Sequence, residues 1–144
     1  MDIMTAPCAH EPLEVPAFCG LGPADANATR EAARLINVAS NPVVLLGMLA
    51  SKPSNNRALQ SFLTKGNLPV VGTFQSAGAV GAMSFENFGG RVGQIANQPA
   101  DRRLEAADLV ITIGYNQAEY WPSRWYGQRM RRNIYFEVLP CSLD

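Results

Sequence analysis

The sequence predicts an α/β protein with a doubly wound parallel sheet. Two short apolar runs carry the prediction, Val43-Val44-Leu45-Leu46 between Pro42 and Gly47 and Val70-Val71 between Pro69 and Gly72. The segment between them has helical spacing, so the three pieces read as a βαβ unit. A third run, Leu109-Val110-Ile111-Thr112-Ile113, is the clearest core strand of the chain. Val43–Leu46 is apolar on both faces, as expected where helices cover a parallel sheet on each side. Strand and helix alternate at connection lengths that argue for a doubly wound parallel sheet. The expected form is Rossmann-like, with helices on both faces of the sheet.

Residues 1–23 carry Pro7, Pro12, Pro16 and Pro23 with little apolar periodicity and read as an extended arm or linker before a single domain over 24–144. From Asp25, Ala28, Ala32, Leu35, Ile36 and Ala39 recur at helical spacing, and Asn41-Pro42 stops that helix. Asn55 or Asn56 is expected to cap the next helix, with Leu59, Phe62 and Leu63 as its buried stripe and Gly66 in the left-handed position at its end. Val70 to Thr73 form the second strand. The glycine-rich stretch from Gly78 to Gly93 has weak periodicity and reads as turns or a loop held close to a ligand or another chain. Gln98 to Ala107 predict a helix with Leu104 and Ala107 inward and Asp101, Arg102, Arg103 and Glu105 outward. Leu109–Ile113 follows as a strand, and Ile134–Leu139 as the next.

A chain of 144 residues, 47% hydrophobic, is long enough for one core. Twelve basic and twelve acidic side chains cancel, so charge points to neither a nucleic-acid groove nor an acidic membrane surface. Cys8, Cys19 and Cys141 are odd in number and widely spaced, which fits reduced thiols better than disulfides or zinc. No apolar run approaches the length of a membrane span, and Asp2 stands where a signal peptide carries basic residues. The expectation is a cytoplasmic, unexported protein.

Candidate chemistry belongs at the carboxyl edge of the sheet, at Gly47-Met48, Thr73-Phe74-Gln75 and Gly114-Tyr115-Asn116. Neither a Gly-x-Gly-x-x-Gly fingerprint nor a Walker loop follows the first strand, which continues Met48-Leu49-Ala50-Ser51. The only histidine, His10, lies in the arm, where a catalytic triad would lack orientation. Asp101, Asp108 and Asp144 stand apart, without the clustered oxygens Mg²⁺ wants. Tyr115, Tyr120, Trp121, Trp125 and Tyr126 with Arg124, Arg129, Arg131 and Arg132 have the composition of a single-strand-binding surface. The reading preferred here is aromatic packing beside a solvated, partly interfacial arginine face.

The wording of several segments resembles one family. Asn41–Gly47, Leu68–Gln75, Gln75-Ser76-Ala77-Gly78-Ala79-Val80, Gly90-Arg91-Val92-Gly93, Asn97-Gln98, Ala107–Tyr115 and Glu119-Tyr120 are similar to the central domain of thiamine-diphosphate-dependent acetolactate synthases, over about Ala28 to Pro140. The flavin-dependent branch carries Arg-Phe-Asp-Asp-Arg after the strand matching Leu109–Ile113. Here the same place reads Gly114-Tyr115-Asn116-Gln117-Ala118-Glu119-Tyr120, with no arginine until Arg124, which resembles the catabolic, FAD-independent branch.

The resemblance implies a complete enzyme that condenses two pyruvates to 2-acetolactate with loss of CO₂. Thiamine diphosphate and Mg²⁺ would be held by other domains, through an activating glutamate and a Gly-Asp-Gly…Asn motif; Gly-Asp-Gly does not occur here. The segment by itself is expected to bind no cofactor, to hold no catalytic residue and to be inactive. Its partners would be the other domains and identical subunits of a homo-oligomer. Gln75 and Gly78 are the candidates for the active-site wall, with Gln75 donating a hydrogen bond near cofactor or substrate; the competing reading is that Gln75 only satisfies loop backbone groups. Relatives continue past Pro140 into a further strand, so the chain is expected to expose a sheet edge and to self-associate. The alternative function is a free-standing nucleotide- or small-ligand-binding module. A sirtuin-like deacetylase would need paired Cys-x-x-Cys ligands and a histidine within the fold.

Overall fold

Asp25 opens the first helix. Its carboxylate accepts the backbone N–H groups of Asn27 at 2.9 Å and Ala28 at 2.8 Å, satisfying donors left free at the start of α1, Ala26–Val38. The computed structural model describes residues 23–93, 95, 98–125 and 131–137. His10, Cys8, Cys19, Cys141, Asn97, Tyr126, Arg129, Asp144 and all of the expected arm but Pro23 lie outside the described residues.

Strand β1, Pro42–Leu46, follows α1. Its side chains alternate between two buried clusters, Val43 and Leu45 in one, Val44 and Leu46 in the other, as a strand buried on both faces must. Helix α2, Pro53–Gly66, begins ahead of the expected Asn55 or Asn56. Pro53 takes the first helical position, where its missing N–H costs nothing, and Lys52 provides no side-chain cap. Leu59 and Leu63 are buried and Phe62 packs beside them, as expected. The left-handed position belongs to Asn67, with φ 46°, and not to Gly66, which is the last residue of the helix. Asparagine tolerates that conformation, and the Asn67 side chain accepts a 2.7 Å hydrogen bond from the Asn87 amide.

Strand β2, Val70–Thr73, leads to a 3-10 turn over Ala82–Asn87 and then to β3, Phe88–Val92, inside the stretch expected to form turns or a loop held close to a ligand or another chain. Gly89 and Gly90 remove the alternation by which a strand is read. A register shift where β3 pairs with β2, between Val70 and Gly72, marks an irregular edge strand. Helix α3, Pro99–Ala106, precedes β4, Leu109–Ile113, and β5, Arg132–Phe136. The last strand begins ahead of the expected Ile134, and Val138 and Leu139 lie outside the described residues.

All neighbouring strands are parallel, in the order β3-β2-β1-β4-β5. The sequence of connections reverses between β1 and β4, and that pair forms the centre of the sheet. Helices α1 and α2 cover one face, through Leu35, Ile36, Leu59 and Leu63 against Val44, Leu46 and Ile111. Helix α3 covers the other, through Ala100 and Leu104 against Val43, Leu45 and Val110. The doubly wound sheet with helices on both faces is thus the architecture observed. Arg131, expected on a solvated, partly interfacial face, donates to the Leu104 and Glu105 carbonyls at 2.6 and 3.3 Å, capping the end of α3. None of the described helices is long and apolar enough to cross a membrane.

Candidate functional site

Strands β1, β2 and β4 deliver Gly47, Thr73 and Gly114 to the carboxyl edge, at the point where the strand order reverses. Open α/β sheets bind ligands in this crevice. Here one protein carboxylate stands at the convergence. Glu119 Oε1 accepts from the backbone N–H of Met48 and of Asn116, both at 3.1 Å, and Oε2 accepts from Met48 N–H at 2.9 Å and from the Thr73 hydroxyl at 2.6 Å. Three strand ends are therefore joined through one half-buried side chain.

Local structure holds the carboxylate there. Asn116 Oδ1 accepts the Ala118 N–H at 2.9 Å, and the Asn116 carbonyl accepts the Glu119 N–H at 2.9 Å, so the chain after β4 turns back over the sheet. Gly47 and Gly114 allow the β1 and β4 loops to touch. Gly47 donates to Ile113 O at 3.0 Å, and Leu49 donates to Gly114 O at 3.0 Å. Gly114 has φ +59°, and a β-carbon on Gly47 would overlap the backbone of Gly114 and Tyr115. The sequence marks these junctions as a site but offers no sign of Glu119 as their common acceptor, because its donors come from three separate strands.

Beside this junction lies a buried aromatic cluster. The Tyr115 hydroxyl donates to the Tyr120 carbonyl, and Trp125 Nε1 donates to the Tyr115 oxygen at 3.3 Å with the two rings edge to face, centroids 5.9 Å apart. The Tyr120 hydroxyl donates to Asp101 Oδ1 at 2.7 Å, while Asp101 Oδ2 accepts the Gln98 N–H at 2.9 Å. Asp101, which helical spacing places largely outward, is buried because it serves both the start of α3 and the Tyr120 phenol. Burial, then the Asp101 carboxylate, pushes the Tyr120 phenol well above its usual range. Tyr120 and Trp125 are packed, as the sequence predicts, whereas Trp121 is 69% exposed.

Gln75 and Gly78 both lie on the loop leaving β2. Thr73 O accepts the Ser76 N–H at 3.1 Å and the Ser76 hydroxyl at 2.9 Å, and Ser76 O accepts the Ala79 N–H at 3.1 Å. Gly78 has φ +83° with open space around its β-position, so the glycine serves the backbone rather than a close approach. The loop is held by its own backbone, by Thr73 and Ser76, and at its far end by Gln60 of α2, whose amide donates to Ala79 O at 2.8 Å and accepts the Gly81 N–H at 3.1 Å. Gln75 is exposed, and among the described residues its side chain makes no hydrogen bond that would assign it to satisfying the loop. Phe74 beside it is 52% exposed, with the Arg91 guanidinium 6.0 Å from its ring centre.

The acidic groups near the sheet ends are committed to protein donors. Asp101 and Glu119 are bonded as above. Asp108 accepts the Ser40 and Asn41 N–H groups at 2.7 and 2.9 Å. Glu137 Oε1 accepts the Thr112 hydroxyl and the Tyr115 N–H, both at 3.1 Å, and Glu137 lines an apolar groove of about 410 Å³ together with Ala24, Phe62, Ile113 and Phe136. Among the described residues no group of three or more His, Cys, Asp or Glu side chains is placed to hold a metal ion. These residues do not fit Mg²⁺ bound to a diphosphate.

Residues 29–139 match the family described as thiamine pyrophosphate enzyme, central domain. The chain is 37% identical to the catabolic acetolactate synthase of Raoultella terrigena over 140 residues, 97% of this chain and 25% of that protein. It is 39% identical to an acetolactate synthase of Bacillus subtilis over 124 residues, 86% of this chain and 22% of that protein. With pyruvate decarboxylase isozyme 2 of Saccharomyces cerevisiae it shares 31% identity over 106 residues, 71% of this chain and 19% of that protein. The chain thus spans about a quarter or less of the length of these relatives.

Proposed function

The chain belongs to the thiamine pyrophosphate enzyme central-domain family, and from that premise we propose that it is the central domain of an acetolactate synthase of the catabolic, FAD-independent kind. The observation that carries this reading is the likeness to an acetolactate synthase over nearly the whole chain, the turn from Gly114 to Tyr120 included. The complete enzyme joins two pyruvates to 2-acetolactate with release of CO₂. Thiamine diphosphate and Mg²⁺, held by its other domains, supply the carbon–carbon chemistry. The segment described here contributes shape: a sheet whose carboxyl edge closes part of the active-site wall, with Gln75 offering a side-chain amide to cofactor or substrate. Its partners are those other domains and identical subunits of a cytoplasmic oligomer.

The alternative, a free-standing nucleotide-binding module, fits the edge less well. The Met48 and Asn116 N–H groups at the crevice, which a phosphate would need, already donate to Glu119.

The test is to purify the polypeptide that carries this segment and incubate it with pyruvate, thiamine diphosphate and Mg²⁺, with and without FAD. Acetolactate formed equally in both is the expected result. Acetaldehyde as the sole product, or a requirement for FAD, would overturn the reading. In that protein Gln75→Ala is expected to lower turnover or weaken pyruvate affinity; a variant unchanged in both removes Gln75 from the wall.

A further inference from the structure

We propose that Glu119 is the positioning residue for the loop from Phe74 to Gly78, acting through the Thr73 hydroxyl. Thr73 is the last residue of β2 and is wholly buried. Its hydroxyl donates to Glu119 Oε2 at 2.6 Å, a short bond to a charged acceptor reaching across 46 positions of sequence. Its carbonyl is the anchor of the following turn, accepting both the N–H and the hydroxyl of Ser76. Gly72, directly before it, leaves the space that the Ser76 hydroxyl fills; a β-carbon there would overlap that oxygen. The loop therefore springs from a residue fixed on its side chain by Glu119 and on its backbone by Ser76.

Glu119 is fixed in turn by the Met48 and Asn116 N–H groups. Through it, the height and direction of the Phe74–Gly78 loop are referred to the ends of β1 and β4, the centre of the sheet. Phe74 and Gln75 are exposed at the tip of a loop whose base is buried and bonded. Such a loop is preorganised to present its side chains, which is what a wall residue requires. The loop-ordering claim rests on this geometry; its consequence for turnover rests on the proposed function above.

Thr73→Val tests it, since valine keeps the shape and removes only the donor, leaving Glu119 its backbone partners. Hydrogen–deuterium exchange on the full-length protein is expected to show the Ser76 and Ala79 amides opening about tenfold faster, with the amides of Val44–Leu46 and Leu109–Ile113 unchanged. Thr73→Ser, which restores the hydroxyl, should restore the slow exchange. With the proposed activity, Thr73→Val should lower kcat about tenfold and Thr73→Ser should recover it. Faster exchange with kcat intact would support the positioning role and overturn the wall reading of the loop. Exchange unchanged in Thr73→Val would overturn the positioning role whatever the turnover.

Discussion

Gly47 and Gly114 meet backbone to backbone where β1 and β4 end. The Gly47 loop donates to the β4 end through Gly47 N–H and Leu49 N–H, both at 3.0 Å, and a β-carbon on Gly114 would stand 2.7 Å from the Leu49 carbonyl carbon. Backbone cannot rotate aside as a side chain does, so any β-carbon forces the two loops apart and draws the Met48 N–H away from Glu119. Gly47→Ala is therefore expected to destabilise the fold by roughly 3 kcal/mol. Urea denaturation checks it; a variant within about 0.5 kcal/mol of the parent would mean that the contact yields without cost.

Tyr120 and Asp101 give the fold an alkaline limit. The folded phenol is raised above its ordinary value of 10.0, chiefly by burial and then by the Asp101 carboxylate. A raised value contributes stability that is complete below the unfolded value and is lost as the pH climbs toward the folded one. Stability should thus fall beyond pH 10.0. Tyr120→Phe should lose about 1–2 kcal/mol at neutral pH, because Asp101 keeps only the Gln98 N–H, and should show a shallower alkaline decline. Unfolding free energies between neutral and strongly alkaline pH decide this; parallel curves for the two proteins would refute it.

The parts of the fold legible in the sequence were those with local causes. The β1, β2 and β4 runs are apolar on both faces and punctuated by Pro and Gly, so they can be read without knowing their neighbours. Strand β3 was hidden because Gly89 and Gly90 carry no side chains to alternate, and its existence depends on the neighbouring β2 edge. Asp101 departs from its pattern for a related reason: helical spacing assigns a charged residue outward unless the partner that draws it inward, Tyr120, is known. At the site, the loop ends were readable from strand positions. The role of Glu119 was not, since it arises from donors at Met48, Thr73 and Asn116, which only the tertiary fold assembles.

Glu137 is a carboxylate held at a cost. Burial raises its pKa, and Glu119 adds to the shift, while the Tyr115 N–H and the Thr112 hydroxyl work against it. For a raised carboxyl, stability is fullest below the unfolded value of 4.5 and is lost as the pH rises through the folded value. Both donors bind Oε1, so Glu137→Gln can keep an oxygen in that place while removing the buried charge. The variant should be more stable than the parent at pH 8, and the gain should vanish in acid. Thermal melts across that range measure it, and a variant destabilised at pH 8 would show that the charge itself is needed beside the groove.

Asp108 has the opposite sign and the opposite end of the sheet. Burial acts to raise its pKa, but the Ser40 and Asn41 N–H groups, its own N–H and Arg132 prevail and hold it below 3.8. Asp108 N–H also donates to Asn41 O at 3.2 Å, so this one residue fastens the entry of β1 to the entry of β4. A lowered value contributes stability above the unfolded pKa that is lost as the pH falls through the folded one. Asp108→Asn retains one acceptor for two amides and turns a donor toward the other. It should cost about 1–2 kcal/mol at pH 7, with the difference from the parent shrinking in strong acid as Asp108 itself becomes protonated. Equal stability at pH 7 would show the bidentate cap to be dispensable. A deficit that persists undiminished in acid would instead assign its worth to shape rather than charge.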